Sequence, residues 1–151
     1  MQAIHSEISI KLDDGTAPDG CIVDADSAKL AQVIRSLVAE AFKYSPTGGH
    51  VNVMMSLVKG TNRVRVTVRD SGPSLSRDSR ERMFRDATQR VFNPDELQGG
   101  QGAGMAMYLS RHIMDMHGGS IGVDLDWDGP GSIFYLELPI SDKPVMNVRG
   151  D

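Results

Sequence analysis

The sequence predicts an α+β fold: a two-layer α/β sandwich in which a mixed, mostly antiparallel sheet is covered on one face by helices. Three observations lead there. Short runs of alternating apolar residues sit in neighbouring pairs joined by turn chemistry. Two longer segments carry apolar residues at helical spacing. The order β-β-α-β-β, then a short helix and a loop, then α-β-β, holds more hairpins than crossovers. That order lacks the regular β-α-β alternation of a doubly wound dinucleotide fold.

Ile8, Ile10 and Leu12 alternate with polar residues and predict a half-buried strand. Asp13-Asp14-Gly15 and Pro18-Asp19-Gly20 turn the chain, and Cys21-Ile22-Val23 reads as a short return strand. Asp24 or Asp26 then caps a helix from about Ser27 to Tyr44, whose apolar set is Leu30, Val33, Ile34, Leu37, Val38 and Ala41. Pro46-Thr47-Gly48-Gly49 stops it. Val51, Val53, Met55 and Leu57, then Val64, Val66 and Val68, alternate on either side of Gly60-Thr61-Asn62, which predicts a hairpin.

Asp70-Ser71-Gly72-Pro73-Ser74 breaks the second of these strands. A short helix over Ser79 to Phe84 follows. The stretch from Arg85 to Gly100 has no sustained period and reads as a long loop, a length that in a compact domain points to function or disorder. Gly104 to Met116 reads as a helix with Met105, Leu109, Ile113 and Met116 on its apolar side. Ile121, Val123 and Leu125 alternate, Asp128-Gly129-Pro130-Gly131 turns, and a last strand puts Phe134, Leu136 and Leu138 on one face. The domain is expected to span 1–140, with 141–151 as a tail or linker.

The 151 residues suffice for one domain with a core, and 40% apolar against 24% charged residues is an ordinary soluble balance. A net charge of −4 argues against nucleic acid as a partner. The single cysteine, Cys21, excludes an internal disulfide and a cysteine-based zinc site. No run approaches the ~20 apolar residues of a membrane span. The expected location is cytoplasmic, without membrane contact by this domain, although a parent protein could be membrane-bound.

The chemistry concentrates in four places. Gly99-Gly100-Gln101-Gly102-Ala103-Gly104 runs into the helix that ends at His117-Gly118-Gly119. Glycines let backbone N–H groups approach an anion, and a helix N-terminus adds free donors and partial positive charge. Ser36, Glu40 and Lys43 line one stripe of the long helix, where a carboxylate and an ammonium can hold Mg²⁺ and a phosphate. The alternative there is a solvated face with an intrahelical Glu40–Lys43 pair. Asp70, at a strand end before Gly72, can reach into a cleft and accept a hydrogen bond from an amine; the alternative is a turn cap. Arg77, Arg80, Arg82, Arg85 and Arg90 stand near this loop and read as a solvated helix and loop more readily than as a phosphate or partner contact.

In this order the motifs resemble the catalytic ATP-binding domain of sensor histidine kinases, which has the Bergerat fold shared with gyrase and mismatch-repair ATPases. Leu30 to Gly49 resembles the family's Asn-box helix, Val68-Arg69-Asp70-Ser71-Gly72 its first glycine box, Met83-Phe84 its Phe box, and Gly100 to Gly119 its second glycine box. The resemblance implies that Asp70 accepts a hydrogen bond from the adenine amine and that Tyr44 packs near the base. Lys43 would then reach the phosphates. Gly72, Gly100, Gly102, Ala103, Gly104 and Met105 border the nucleotide, and Arg85 to Gly99 forms the lid. The implied ligands are ATP and Mg²⁺. The implied partners are a dimerisation hairpin that carries the phosphoacceptor histidine and a response-regulator receiver domain. None of His5, His50, His112 and His117 stands in that phosphoacceptor context.

The sequence departs from the family where chemistry is concentrated. The two asparagines of the Asn box are replaced by Ser36 and Glu40, the latter at the position of the Mg²⁺ ligand. Glu40 still offers oxygen to a hard cation. Its charge beside a triphosphate costs ~4 kcal/mol at about 4 Å and an effective dielectric of about 20, before screening. Ser74, after Pro73, replaces the second glycine of the first glycine box and stiffens that loop. Two functions are therefore expected to compete: an ATP-binding catalytic domain that phosphorylates a histidine supplied by another segment, and a degenerate, pseudokinase-like regulatory or scaffolding module.

Overall fold

The computed structural model describes residues 8–16, 20–88 and 102–142. Among them the elements run β1 (Ser9–Asp14), α1 (Ser27–Tyr44), β2 (His50–Val58), β3 (Arg63–Arg69), α2 (Arg77–Thr88), α3 (Gly102–Met116), β4 (Ser120–Val123) and β5 (Ile133–Pro139). Five strands form one sheet in the order β1-β2-β3-β5-β4. Only β1 and β2 are parallel; the β2–β3, β3–β5 and β4–β5 pairs are antiparallel. This is the two-layer, mostly antiparallel sheet that the hairpin count predicts.

α1 forms where capping and periodicity agree. The Asp26 carboxylate accepts from the backbone N–H groups of Ala28 and Lys29, each at 3.1 Å. Its buried positions, Val33, Leu37 and Ala41, repeat every four residues and so lie on one stripe. At the far end the Ser45 N–H donates to the Ala41 and Phe42 carbonyls before Pro46 ends the helix. β3 alternates strictly: Val64, Val66 and Val68 are buried under the helices, while Arg63, Arg65, Thr67 and Arg69 face away. Phe134, Leu136 and Leu138 of β5 complete this inner face, against Met107, Ile113 and Met114 of α3.

Several expectations are corrected. Residues 20–26 form no strand, so Cys21-Ile22-Val23 does not return beside β1. β1 instead reaches β2 through α1, a crossover that makes the pair parallel. β1 is not half-buried: all six of its residues are exposed, Leu12 to 75%, because it is the sheet edge. α2 extends past both predicted ends, so Arg85 to Thr88 belong to a helix and not to a loop. α3 begins at Gly102 and buries Met107, Ser110, Ile113 and Met114, whereas Leu109 and Met116 of the expected apolar side are exposed. β4 stops at Val123, leaving Leu125 in the turn. The lid positions 89–99 and most of the tail, 143–151, lie outside the described residues.

Candidate functional site

Asp70 follows the last residue of β3, and its N–H donates to the Ser132 carbonyl at 3.1 Å. That bond extends the β3–β5 ladder one position and pins the residue at the end of the sheet. The side chain is 3% exposed. Its Oδ1 accepts from the Gly72 N–H at 2.8 Å, and its Oδ2 is buried with no hydrogen-bond partner among the described residues. A buried acceptor left unmade is costly, so it calls for a donor from beyond the described residues. Burial pushes the Asp70 carboxyl above the usual carboxylate value, against hydrogen bonds from Gly72 and Ser132 and the positive charge of Arg80.

Two glycines cradle this carboxylate. A methyl group at Gly72 would overlap the Tyr44 carbonyl oxygen, and one at Gly131, which has φ of +74°, would overlap the Asp70 carbonyl oxygen. The Ser45 hydroxyl closes the rim: it accepts from the Ser71 N–H at 3.1 Å, while the Ser71 hydroxyl accepts from the His50 N–H at 2.9 Å. The end of α1 is thereby fastened to the loop that carries Asp70 and Gly72.

Tyr44 is half-buried, and its phenol is held above its usual value first by burial, then by the carboxylates of Glu40 and Asp70. The fold thus brings Glu40, Tyr44, Asp70 and Gly72 into one cluster. Glu40 is not on a solvated face, since its side chain is 11% exposed. The Lys43 ammonium stands 3.6 Å from the Glu40 carboxylate and 5.7 Å from the Tyr44 ring centre, on a side chain 60% exposed. The Ser36 hydroxyl is committed to its own helix, donating to the Gln32 carbonyl at 2.9 Å. Gly102, Ala103, Gly104 and Met105 form the first turn of α3. Gly100 lies outside the described residues.

Sequence reasoning missed three contributors. Arg80 is buried and donates to the Trp127 and Gly131 carbonyls. Gly131 reads in the sequence only as part of a turn, and the buried Ser132 carries no signal there. The spacing of Arg80, Phe84 and Thr88 at i, i+4 and i+8 of α2 is the signal that could have placed Arg80 on an inward face.

Residues 25–142 match the family described as the histidine kinase-, DNA gyrase B- and HSP90-like ATPases. The chain belongs to this family. Sensor histidine kinase TmoS of Ectopseudomonas mendocina is 31% identical over 141 residues, which cover 93% of this chain and 14% of the relative. The adaptive-response sensory kinase SasA of Prochlorococcus marinus is 34% identical over 121 residues, 80% of this chain and 30% of the relative. The chain therefore spans less than a third of the length of either kinase. Among solved structures, full-length ShkA in complex with AMPPNP matches with a TM-score of 0.70 at 26% identity, covering 95% of this chain and 28% of ShkA. The catalytic domain of histidine kinase ThkA matches with a TM-score of 0.67 at 25% identity, covering 88% and 79%. The fold and family are those of the ATP-binding catalytic domain of sensor histidine kinases. No helix among the described residues of this ATPase domain is long and apolar enough to cross a membrane.

Proposed function

We propose that this ATPase domain binds Mg·ATP and donates the γ-phosphoryl group to a histidine on a dimerisation hairpin of its parent protein, in cytoplasmic two-component signalling. The observation that carries the reading is the buried, unpartnered Oδ2 of Asp70 in its glycine cradle. An amine-bearing purine supplies the donor this oxygen lacks. The Tyr44 phenol is within electrostatic reach of the same carboxylate and offers an aromatic wall for the base. Lys43, at the other side of Glu40, offers a mobile positive charge for the phosphates. The free N–H groups of the first turn of α3 offer directional donors to the same groups.

The residues present are compatible with Mg²⁺. One carboxylate together with phosphate oxygens and water is a usual Mg²⁺ environment, and Glu40 is the candidate ligand. The described residues contain no group of three or more acidic, histidine or cysteine side chains that could hold a metal without a phosphate. When bound, the ion neutralises charge on the triphosphate. In the transfer the acceptor histidine nitrogen forms a P–N bond as the bond from the γ-phosphorus to the bridging oxygen breaks, and ADP leaves with that electron pair. A receiver domain is the proposed next acceptor.

The second reading is a degenerate regulatory module with weak nucleotide binding. Glu40 brings a negative charge to the site, and the Ser36 hydroxyl is already satisfied within its helix. Calorimetric titration with ATP, with and without Mg²⁺, separates the two. Micromolar binding lost in Asp70→Asn supports the ATP-binding reading, and its absence in the wild type supports the second. Phosphorylation of a histidine hairpin joined to the domain tests the transfer itself.

A further inference from the structure

Arg80 is the largest fully buried side chain of the described residues, at 2% exposure. A guanidinium taken out of water needs paired charge and hydrogen bonds in return. Its two terminal nitrogens donate to the Trp127 and Gly131 carbonyls, the second at 2.9 Å. Both carbonyls belong to the β4–β5 connection, and this is the connection whose Gly131 rests on Asp70. Trp127 in turn closes its own loop by donating from the indole N–H to the Pro130 carbonyl at 3.1 Å. Among the described residues Arg80 Nε is buried without a partner, and so is Asp70 Oδ2. A leucine would fill much of the same space without this polar cost, so packing alone does not account for an arginine here.

We propose that Arg80 is a positioning residue for the nucleobase site: from α2 it clamps the 127–131 loop against Asp70 and supplies the buried positive charge that faces the Asp70 carboxylate. The inference rests on the reading of Asp70 as the acceptor for the base. It adds a link from α2, the helix that leads into the segment between the two glycine boxes, to the residue that recognises the nucleotide.

The clamp has a consequence in pH. Among the described residues the charged and titratable groups within electrostatic reach of Asp70 are Arg80 from α2 and Tyr44 from α1, with Glu40 one turn before Tyr44. Burial raises the Asp70 carboxyl, and Arg80 opposes that rise. Without Arg80 the carboxylate takes a proton at higher pH and its acceptor oxygen is lost earlier on acidification. A residue that only packs would lower affinity without moving that midpoint.

The test is calorimetric titration of the folded domain with Mg·ATP from mildly acidic to mildly alkaline pH, on wild type, Arg80→Leu, Arg80→Lys and Asp70→Asn. Arg80→Leu is expected to weaken binding about tenfold at neutral pH and to move the acid midpoint upward. Arg80→Lys keeps a positive charge but not the two-pronged donor; it is expected to hold the midpoint near wild type while still binding more weakly. Wild-type affinity and midpoint in Arg80→Leu overturn the proposal. If Arg80→Leu does not fold, a midpoint in Arg80→Lys displaced upward from wild type overturns the charge role, and wild-type affinity in that variant overturns the clamp. Asp70→Asn separates the two layers: if it binds like wild type, the reading of Asp70 fails, and if it loses binding while Arg80→Leu does not, only the role of Arg80 fails.

Discussion

Gly131 lies so close against Asp70 that a methyl group on its α-carbon would overlap the Asp70 carbonyl oxygen and crowd the carboxylate. The contact joins two loops far apart in sequence, one ending β3 and one entering β5. The floor of the site is therefore made where two strands leave the sheet, with Gly72 on one side of the carboxylate and Gly131 on the other. A side chain at Gly72 meets the Tyr44 carbonyl, and one at Gly131 meets the Asp70 carbonyl, so either crowds the carboxylate.

Gly131→Ala is accordingly expected to lose about 2–4 kcal/mol of stability, combining left-handed backbone strain with overlap. Gly60→Ala is the control. Gly60 has φ of +80° but nothing within 4 Å of its added methyl, so only the backbone term of about 1 kcal/mol remains. Urea denaturation of both variants measures the difference. Equal losses would show that Asp70 yields to the methyl group.

Asp70→Asn should change how stability depends on pH. Burial raises the folded-state pKa of Asp70 above its ordinary 3.8. A group raised on folding contributes stability that is fully present below the unfolded value and is lost as pH rises through the folded value. Wild type should therefore lose stability relative to Asp70→Asn as pH rises from the unfolded value toward neutrality, whatever constant offset the substitution brings. Denaturation curves at several pH values give the slope, and a constant difference contradicts it.

How legible the molecule was depends on the side chains concerned. Val33, Leu37 and Ala41 on α1 and the valines of β3 are branched or small apolar residues at strict spacing, and both elements read correctly. The face of α3 did not, because methionines stand on opposite sides of that helix, and packing selects Met107 and Met114 over Met116. β1 carries the alternation of a half-buried strand, but it lies at the edge, beyond helix cover. Asp70 and Gly72 were legible as a turn, and the cap offered there as the alternative is made, since the Asp70 Oδ1 accepts from the Gly72 N–H. Arg80 was not, because arginine reads as surface.

Glu40→Asn is expected to tighten ATP binding, by about tenfold or more in EDTA and by less with Mg²⁺ present. The unscreened cost of one negative charge at about 4 Å from a phosphate is ~4 kcal/mol at an effective dielectric of about 20, and a bound cation offsets part of it. The substitution also frees Lys43 from its 3.6 Å pair. Parallel calorimetric titrations read both conditions. Unchanged affinity in each would place Glu40 away from the phosphates.

His117 joins the two helices at the ends away from Glu40 and Gly102. Its Nε2 accepts from the Asp26 N–H at 3.0 Å, so the ring proton sits on Nδ1, which donates to the Ile113 carbonyl at 2.7 Å. One neutral ring thus ties the C-terminal end of α3 to the N-cap of α1. His117→Ala leaves the Asp26 N–H without its acceptor and should lower stability by about 1–2 kcal/mol. Asp26→Ala keeps that N–H but removes the cap over Ala28 and Lys29, for about 1 kcal/mol. The two losses are expected to be non-additive, because His117 and Asp26 are in direct contact at one N-cap. Neither should alter ATP affinity in the folded protein, since the fastening lies fourteen residues along α1 from Glu40. A binding defect in His117→Ala without a matching loss of stability would show that the α1–α3 seam transmits to the site.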